Sequence, residues 1–372
     1  MPAPSRAGIG RLPQEYLCCA RAARMIHYLV TDRYRNTIDV FLRTHGRSLA
    51  GRIRRLSYER AFAMRSVPAG TWIFSDLERL SPADTERAAA LWRALATSGA
   101  PVRLVNHPGR ALRRYELLRR LHESGVNDFD VRRLTEARAP RRFPVFLRRE
   151  HDHEGAATDL LHTPAELAAA VEALEGRGES REDVLVVELC DTADASGVYR
   201  KYAAFLLAGR IVPRHVFGSR RWMIKVPELF DDESLGVEDE YVATNPHAAA
   251  LARIFALARV DYGRIDYGLL EGRIQVWEIN TNPLLPTFHG PGGSARAALN
   301  ARVACALIEA FRALDSVDPD PAARVATGFA GGRPLHALSR LTRRTVREYA
   351  EAAVHRLRAF RRRRTDEADR ER

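Results

Sequence analysis

The sequence predicts a protein that joins a small parallel α/β unit to a larger, strand-rich α+β region. Three observations carry this prediction. Short strand-like runs alternate with helical segments over residues 25–108, strand-like runs dominate after residue 125, and one apolar strand ends in a group of polar residues. The chain of 372 residues is long enough for two or three domains of about 150 residues, so it can hold both units.

Composition excludes several classes of protein. Hydrophobic residues make up 46 % of the chain and charged residues 28 %, which indicates a globular protein and not a disordered or collagen-like one. No apolar run reaches the roughly 18 residues of a transmembrane helix, and three basic residues interrupt the apolar stretch at 17–30, which is unlike a signal peptide. The four cysteines form no CxxC pair and are interpreted as free thiols. These features predict a cytoplasmic protein without a membrane partner.

The net charge of +12 is concentrated at the two ends of the chain. Residues 339–372 contain twelve arginines against six acidic residues, and residues 1–24 contain four arginines against Glu15, which leaves only +3 for residues 25–338. Such an end is either an arm that binds nucleic acid or a solvated tail. The concentration at the termini favours the tail, so we predict no nucleic-acid partner.

Residues 25–108 are predicted to form the parallel α/β unit. Its strand-like runs, separated by helical segments, lie at 27–31, 71–74 and 102–105. The second helix has a clear start, because Ser81 and Pro82 supply a cap and a first-turn proline, and Gly99 supplies its end. Residues 1–24 lack sustained periodicity and are predicted to be a disordered extension.

Residues 109–318 are predicted to form the α+β region. Its strand-like runs lie at 129–134, 143–149, 184–189, 199–207, 210–216, 263–270 and 273–280. The region begins with a helix at 110–124, and its other helical segments, each opened by a capping residue and a proline, lie at 163–174 and 245–258. Residues 319–372 are predicted to form a loop at 319–332, a helix at 339–360 and a basic tail.

The last two strands of this region carry the most informative polar residues. Side chains alternate along a strand, so Glu278 and Asn280 project from one face of the strand at 273–280. The hairpin brings Asp266 of the preceding strand alongside them. Two carboxylates and an amide oxygen at a strand end form an oxygen site that suits a hard cation such as Mg²⁺. The alternative is a polar strand end that faces solvent.

The register of this hairpin decides whether the cation site can exist. A two-residue turn at 271–272 pairs Asp266 with Trp277 and places Asp266 on the face opposite Glu278. A three-residue loop at 271–273 instead pairs Asp266 with Glu278 directly. We predict the three-residue loop, because only this register brings the two carboxylates together.

These residues resemble the last core strand of the ATP-grasp enzymes. That family carries a Glu-x-Asn pattern followed by proline, with an aspartate about a dozen residues upstream. Here the pattern is Glu278, Asn280 and Pro283, and Asp266 lies twelve positions before Glu278. The resemblance implies that Asp266, Glu278 and Asn280 hold the Mg²⁺ ions that bridge the phosphates of ATP. It also implies an ATP-grasp fold over 109–318, with two α+β subdomains that sandwich ATP.

The resemblance extends upstream and covers roughly residues 106–312. It implies that residues 25–108 are a small Rossmann-like pre-ATP-grasp domain. The run at 143–148 is similar to the family strand that ends in a lysine in contact with ATP, and Arg148 takes that place here. The run at 186–191 is similar to the hinge whose backbone holds adenine and whose carboxylate holds the ribose. This implies nucleotide contacts from Glu188, Leu189, Cys190 and Asp191.

The implied activity is that of an ATP-dependent carboxylate-amine ligase. Such an enzyme phosphorylates a small carboxylate with Mg²⁺ and ATP, and an amine then displaces phosphate from the acyl phosphate. Arg148, Lys201 and Arg264 are the predicted catalytic cations, and Arg148 and Lys201 are also expected to contact ATP. A kinase is the first alternative, and a non-catalytic nucleotide or nucleic-acid binding module is the second. The oligomeric state is not predicted, a homodimer being one alternative.

Two further groups of residues have two interpretations each. His151 and His153 share a strand parity that suits a metal, but a flexible loop that closes over the phosphates, with Gly155 as its mobile point, is favoured. The basic residues after the strand at 210–216, Arg214, His215, Arg220 and Arg221, are near where a carboxylate acceptor would lie or form a basic loop.

Overall fold

The computed structural model describes residues 25–151, 155–225, 227–287, 293–314 and 322–330. The predicted disordered extension at 1–24, the predicted helix at 339–360, the basic tail and His153 lie outside these ranges. The described residues up to Phe329 belong to one compact unit, and Ala330 lies outside it. Within the described ranges, no helix is long and apolar enough to cross a membrane.

The N-terminal unit is a four-stranded parallel sheet with helices between its strands. The sheet order is β2-β1-β4-β5, and its strands are β1 (Ile26–Val30), β2 (Ile53–Ser57), β4 (Gly70–Phe74) and β5 (Val102–Val105). The helices are α1 (Asn36–Arg43), α2 (Tyr58–Phe62) and α3 (Pro82–Ala96). As predicted, α3 begins at a Ser81 cap, whose hydroxyl oxygen accepts a hydrogen bond of 3.1 Å from the backbone N–H of Asp84.

Three strands of this part of the chain, β2, β3 (Ser66–Pro68) and β13 (Arg324–Ala326), were not predicted. β2 is an edge strand in which two arginines separate the apolar residues Ile53 and Leu56, so its sequence shows no apolar alternation. β13 pairs antiparallel with β3, so the predicted loop at 319–332 is wrong for the three residues of β13. The physical reason is the burial of Val325, which is 3 % exposed and packs in the core of the N-terminal unit.

A small antiparallel sheet follows in the chain. Its order is β6-β8-β7, and its elements are α4 (Arg114–Glu123), β6 (Val131–Arg133), β7 (Val145–Arg149), α5 (Pro164–Glu175) and β8 (Val184–Glu188). One face of this sheet packs on apolar residues of α5, and α4 joins a second cluster that includes strands of the next sheet. The helix α4 therefore lies between the small sheet and the strands that carry the predicted cation site.

The largest sheet is a four-stranded antiparallel one with the order β10-β9-β11-β12. Its elements and helices are β9 (Tyr199–Leu207), β10 (Arg210–Ser219), α6 (Asp232–Thr244), α7 (Ala248–Ala258), β11 (Gly263–Leu270), β12 (Arg273–Asn280) and α8 (Gly293–Leu314). The predicted helix start at Asn245 is wrong, because Asn245 adopts left-handed backbone angles (φ 48°) and ends α6. Asparagine tolerates this conformation, so it serves as a helix end as readily as a helix start.

A shared apolar core connects the parallel sheet to the largest sheet. It contains four fully buried residues: Tyr28 of β1, Phe205 of β9, Phe311 of α8, and Tyr262, which directly precedes β11. Helix α8 therefore packs against both sheets. The carboxyl ends of the parallel strands are held beside the end of β12, where the polar residues lie.

Candidate active site

The hairpin of β11 and β12 closes with a two-residue turn. Leu270 pairs with Arg273, and the two turn residues, Glu271 (φ 51°) and Gly272 (φ 76°), both have positive φ angles. This is the backbone of the tight turn that best matches the twist of paired strands. The predicted three-residue loop is therefore wrong.

A β-bulge nevertheless brings the two carboxylates together. The register shifts so that Tyr267 pairs with Val276 whereas Asp266 pairs with Glu278, and Trp277 is the extra residue. Asp266 and Glu278 therefore face each other on one side of the sheet, which is the pairing predicted from the sequence.

The bulged tryptophan is held by packing on both sides. Its ring lies 5.4 Å from that of Phe129, and a Cβ atom at Gly268 would come within 2.9 Å of its Cζ2 atom. Only glycine leaves enough room for the indole at that position. A lone glycine inside a strand is a known mark of a bulge, and Gly268 was the signal in the sequence that could have located this one.

Asp266 is held by two cations of the same sheet. It is 4 % exposed, and Arg264 donates to its two carboxylate oxygens from Nε at 2.7 Å and from Nη2 at 3.0 Å. The Nζ of Lys201 lies 3.7 Å from Oδ2 of Asp266 and donates to the carbonyl oxygen of Ile224 at 2.9 Å. Burial lowers the pKa of Lys201, and the charge of Asp266 opposes this effect. Burial also acts to lower the pKa of Arg264, but Asp266 raises it above its usual value.

Glu278 is held by two further cations, which come from other elements. Its Oε2 accepts hydrogen bonds from Nη2 of Arg114 at 2.6 Å and from Nη2 of Arg148 at 3.2 Å, and its Oε1 accepts one from Nδ2 of Asn280 at 3.0 Å. Arg114 also donates to the carbonyl oxygens of Arg149 and Glu150, at 3.1 and 2.6 Å. The structure thus brings Arg148 to the carboxylate pair from β7, and it adds Arg114 from α4.

Sequence reasoning missed Arg114. It is the first residue of α4 and only 8 % exposed, although a cation at a helix N-terminus opposes the helix dipole. A buried arginine in this position needs another partner, which Glu278 supplies. The predicted helix at 110–124 placed Arg114 in its interior, whereas α4 begins at Arg114, so no local pattern marked it as a site residue.

The donor set at this strand end suits Mg²⁺ and phosphate. Asp266 and Glu278 offer carboxylate oxygens, and Asn280 directs its Nδ2 group at Glu278, which leaves its amide oxygen for a cation. The described ranges contain no group of three or more histidine, cysteine, aspartate or glutamate residues arranged for a metal. Mg²⁺ needs few protein ligands when phosphate oxygens and water complete its shell. Four cationic side chains contact the two carboxylates, so this region attracts an additional anion.

The residues of the predicted hinge, 188–191, lie at the end of β8 and directly after it, and each of them has its own environment. Glu188 is 4 % exposed, and its carboxylate accepts hydrogen bonds from the backbone N–H groups of residues 130, 141 and 142, at 3.1, 2.7 and 3.3 Å. Leu189 donates from its backbone to the carbonyl oxygen of Pro144 at 2.9 Å. Cys190 is buried, and burial raises the pKa of its thiol to about 11. Asp191 is exposed.

The loop predicted to close over the phosphates is described only at its ends. His151 lies 3.9 Å from a carboxylate oxygen of Asp183, and residues 152–154 are outside the described ranges. Gly155 has a φ angle of 100°, and a Cβ atom there would lie 2.3 Å from Cε of Lys225. This φ angle is one that L side chains rarely adopt, so it favours glycine at position 155, whereas the flexible end of Lys225 could turn aside.

The two residues after Asn280 attach the site to the N-terminal unit. The hydroxyl oxygen of Thr281 accepts a hydrogen bond of 2.9 Å from the backbone N–H of Leu77, and its hydroxyl group donates to Glu78 at 2.5 Å. The side-chain oxygen of Asn282 accepts hydrogen bonds from the hydroxyl groups of Tyr28, at 3.0 Å, and Thr37, at 2.5 Å. These contacts fix the end of β12 against the carboxyl ends of β1 and β4.

A cavity of about 380 Å³ lies at the same edge of the parallel sheet. Its lining includes Thr31, Arg33, Tyr34, Tyr58, Arg79 and His151. The strand β1 pairs with β2 on one side and with β4 on the other, so the chain order reverses at β1. Open parallel sheets bind ligands at such a reversal, and the volume suits a small molecule.

No protein-family model matches the chain, and no curated protein matches it. Solved structures do resemble it. A D-alanine–D-alanine ligase from Bacillus anthracis complexed with ATP is 14 % identical, with 78 % of this chain and 98 % of that chain covered and a TM-score of 0.41. A RimK domain ATP-grasp protein from Sphaerobacter thermophilus is 14 % identical, with 76 % and 99 % covered and a TM-score of 0.42. The ATP-grasp ligase PsnB complexed with a minimal precursor is 13 % identical, with 77 % and 99 % covered and a TM-score of 0.45. These three solved structures, to which this chain is similar, are ATP-grasp proteins.

Proposed function

We propose that this protein is an ATP-dependent ligase that activates a small carboxylate as an acyl phosphate and joins it to an amine. The observation that carries the proposal is the pair Asp266 and Glu278, held face to face within four cationic side chains. Phosphoryl transfer depends on neutralised phosphate oxygens and aligned reactants more than on a special nucleophile. In this proposal residues 25–108 are the pre-ATP-grasp domain and residues 109–318 the ATP-grasp domain.

Asp266, Glu278 and Asn280 would hold Mg²⁺ in the proposed site. When bound, the cation neutralises phosphate oxygens and helps to align the phosphate for transfer. The cations that now contact the two carboxylates, Arg114, Arg148, Lys201 and Arg264, would then turn to the phosphates of ATP. The ion pairs seen in the structure hold these side chains close to the positions in which phosphate would need them.

The nucleotide base would lie against the end of β8. The backbone of Leu189 and Cys190 would contact adenine in this proposal. Glu188 is already bound by three backbone N–H groups, so the exposed carboxylate of Asp191 is the better candidate for the ribose hydroxyls. The nucleotide contact of Glu188 that the sequence predicted would then be indirect.

The reaction has two steps. First, an oxygen of the substrate carboxylate attacks the γ-phosphorus of ATP, the bond from that phosphorus to the bridging oxygen of ADP breaks, and an acyl phosphate forms. Second, the amine attacks the acyl carbon, the bond from carbon to the phosphate oxygen breaks, and the nitrogen loses a proton. The cavity at the edge of the parallel sheet, which Arg79 lines directly after Glu78 in the chain, would have room for one of the two substrates.

The proposal is tested by screening small acids for Mg²⁺-dependent release of ADP, with and without hydroxylamine. An acyl phosphate reacts with hydroxylamine and yields a hydroxamate, which is the expected product. A phosphate ester that is stable to hydroxylamine would instead show a kinase. Absence of ADP release with every acid and amine would contradict both enzymes and favour a binding module.

A further inference from the structure

The strand β10 carries Arg214, which differs from the other cations of the site because it has no carboxylate partner among the described residues. Pro213 pairs with Ala204 and His215 pairs with Ala203, so Arg214 is the extra residue of a bulge. Its Nη1 group donates a hydrogen bond of 2.7 Å to the side-chain oxygen of Asn300 in α8. The bulge thus directs the guanidinium under the first turns of α8.

Every other cation of this region is paired with a carboxylate. Lys201 and Arg264 contact Asp266, Arg114 and Arg148 contact Glu278, and Arg296 contacts Glu238 at 2.8 Å. In the described part of the chain Arg214 lies within 4 Å of no carboxylate, and its hydrogen-bond partner is a neutral amide. A half-buried charge without a counter-ion is unfavourable unless a ligand supplies one.

The electrostatics around Arg214 agree with this excess of positive charge. Burial, and then the neighbouring charge of Arg264, lower the pKa of Arg214 to about 10, although Glu238 acts to raise it. Guanidinium groups in proteins keep a pKa above about 12. A nearby anion would stabilise the charged guanidinium and bring its pKa back towards the usual value.

The neighbouring histidine is a second, independent feature of the same place. His215 is 4 % exposed, and among the described residues neither of its ring nitrogens has a hydrogen-bond partner. Its ring stacks on that of Phe217, with 3.6 Å between the ring centres. His215 and Asp266 both pair with Ala203, so the imidazole shares a sheet face with the carboxylate pair. A buried imidazole without a hydrogen-bond partner is rare, and a bound ligand can supply the missing partner.

We propose, on the basis of the proposed function, that Arg214 and His215 form a subsite for a second anionic group on the acid that accepts the phosphoryl group. The reacting carboxylate of that acid must lie beside Asp266 and the γ-phosphate. Arg214 then holds the second negative group, and the N–H of a neutral imidazole donates a further hydrogen bond to it. The substrate class is therefore a dicarboxylic acid or another acid with two negative groups.

The proposal predicts a strong preference between acids of equal shape. Mg²⁺-dependent ADP release is measured with glutamate against glutamine, aspartate against asparagine, and succinate against succinamate. The charged member of at least one pair should have a kcat/KM at least about tenfold higher, since one charge-assisted contact is worth about that factor. In the variant Arg214→Gln the KM of the diacid should rise about tenfold with a smaller change in kcat, and the preference should disappear.

Arg210→Gln is the matched control. Arg210 lies on the same strand and contacts Glu309 of α8 at 3.5 Å, but its side chain is about half exposed and outside the site. It should retain the wild-type preference. Arg214→Lys keeps the positive charge and should retain part of the preference, which separates loss of charge from loss of folding if Arg214→Gln is unstable.

A readout without turnover separates this proposal from the ligase proposal. Succinate, glutamate and aspartate, without ATP, should raise the melting temperature of the wild-type protein and not that of Arg214→Gln, whereas succinamate should raise neither. Stabilisation by these diacids without any ADP release would support the subsite and overturn the ligase. ADP release without a preference for diacids, or the absence of stabilisation by all three, would overturn the subsite.

Discussion

Two glutamates near strand ends, the buried Glu188 of β8 and the half-buried Glu278 of β12, differ in the kind of partner that holds them. Three backbone N–H groups donate to Glu188, and its guanidinium contact, Arg142 at 3.5 Å, is nearly half exposed. Two buried guanidinium groups and one side-chain amide donate to Glu278. Backbone donors belong to the path of the chain and cannot turn to a ligand. Guanidinium groups can, because a rotation about side-chain bonds is enough. The kind of hydrogen-bond donor, together with exposure, therefore distinguishes the carboxylate of the proposed site from the carboxylate that holds the chain.

The largest expected effect in this comparison is on catalysis at Glu278. The change Glu278→Gln keeps the shape of the side chain and removes one charge from the proposed cation site, so Mg²⁺-dependent ADP release should fall about a thousandfold. Steady-state kinetics measures this, and far-UV circular dichroism should show the wild-type fold. Turnover within tenfold of wild type would remove Glu278 from the metal site.

A smaller loss is expected at the facing carboxylate. The change Asp266→Asn should lower turnover about a hundredfold and raise the Mg²⁺ concentration needed for half-maximal rate, since Glu278 and Asn280 still offer oxygens to a cation. A titration of the rate with Mg²⁺ measures both. A lower rate with an unchanged Mg²⁺ requirement would place Asp266 outside the cation shell.

The opposite pattern is expected at Glu188. The change Glu188→Gln replaces an acceptor oxygen by a donor amide opposite backbone N–H groups, so the free energy of unfolding should fall by about 2 kcal/mol. Urea unfolding measures this, and turnover of the folded protein should stay within a few-fold of wild type. The control Glu182→Gln changes an exposed residue nearby and should alter the free energy of unfolding by less than about 0.5 kcal/mol. A Glu188→Gln variant with full stability and lost turnover would reverse the comparison.

The smallest effect is expected from a change far from both glutamates in sequence, at the basic tail. Deletion of residues 361–372 removes the basic tail, which is predicted to lie outside the ATP-binding core, and turnover should change less than about twofold. A large rise in the KM for ATP would instead assign the tail to the nucleotide site.

Strands with clear apolar alternation could be predicted from the sequence to the residue. β9, β11 and β12 have the predicted bounds, and the polar end of β12 led directly to the pairing of Asp266 with Glu278. β13 could not be predicted, because a three-residue strand has no period and forms only through its contact with β3. Helix α6 was also not predicted, because its acidic sequence lacks a clear apolar face. Its last position, Asn245, resembles the start of a helix.

The parts of the site that escaped prediction depend on tertiary contacts. The turn length was wrong because the compensating bulge rests on the packing of Trp277 against Phe129, which is distant in sequence. Arg114 reaches Glu278 from a helix of a different layer, and no local pattern announces such a contact. The functions of Arg148, Lys201 and Arg264 remain predictions, although the structure places all three at the carboxylate pair.

The bulge at Trp277 has a consequence for how sequences with this hairpin can vary. In an uninterrupted antiparallel pair joined by a turn of even length, two residues can face each other only if an even number of residues separates them. Asp266 and Glu278 are separated by eleven, so one residue of the hairpin must be out of phase, either in the turn or in a strand. Moving that residue from the strand into the turn, by deleting Trp277 and inserting one residue beside Gly272, preserves the count and the pairing. Homologous hairpins can therefore exchange a bulge for a longer turn, and an alignment that places gaps only in turns would misplace one of the two carboxylates.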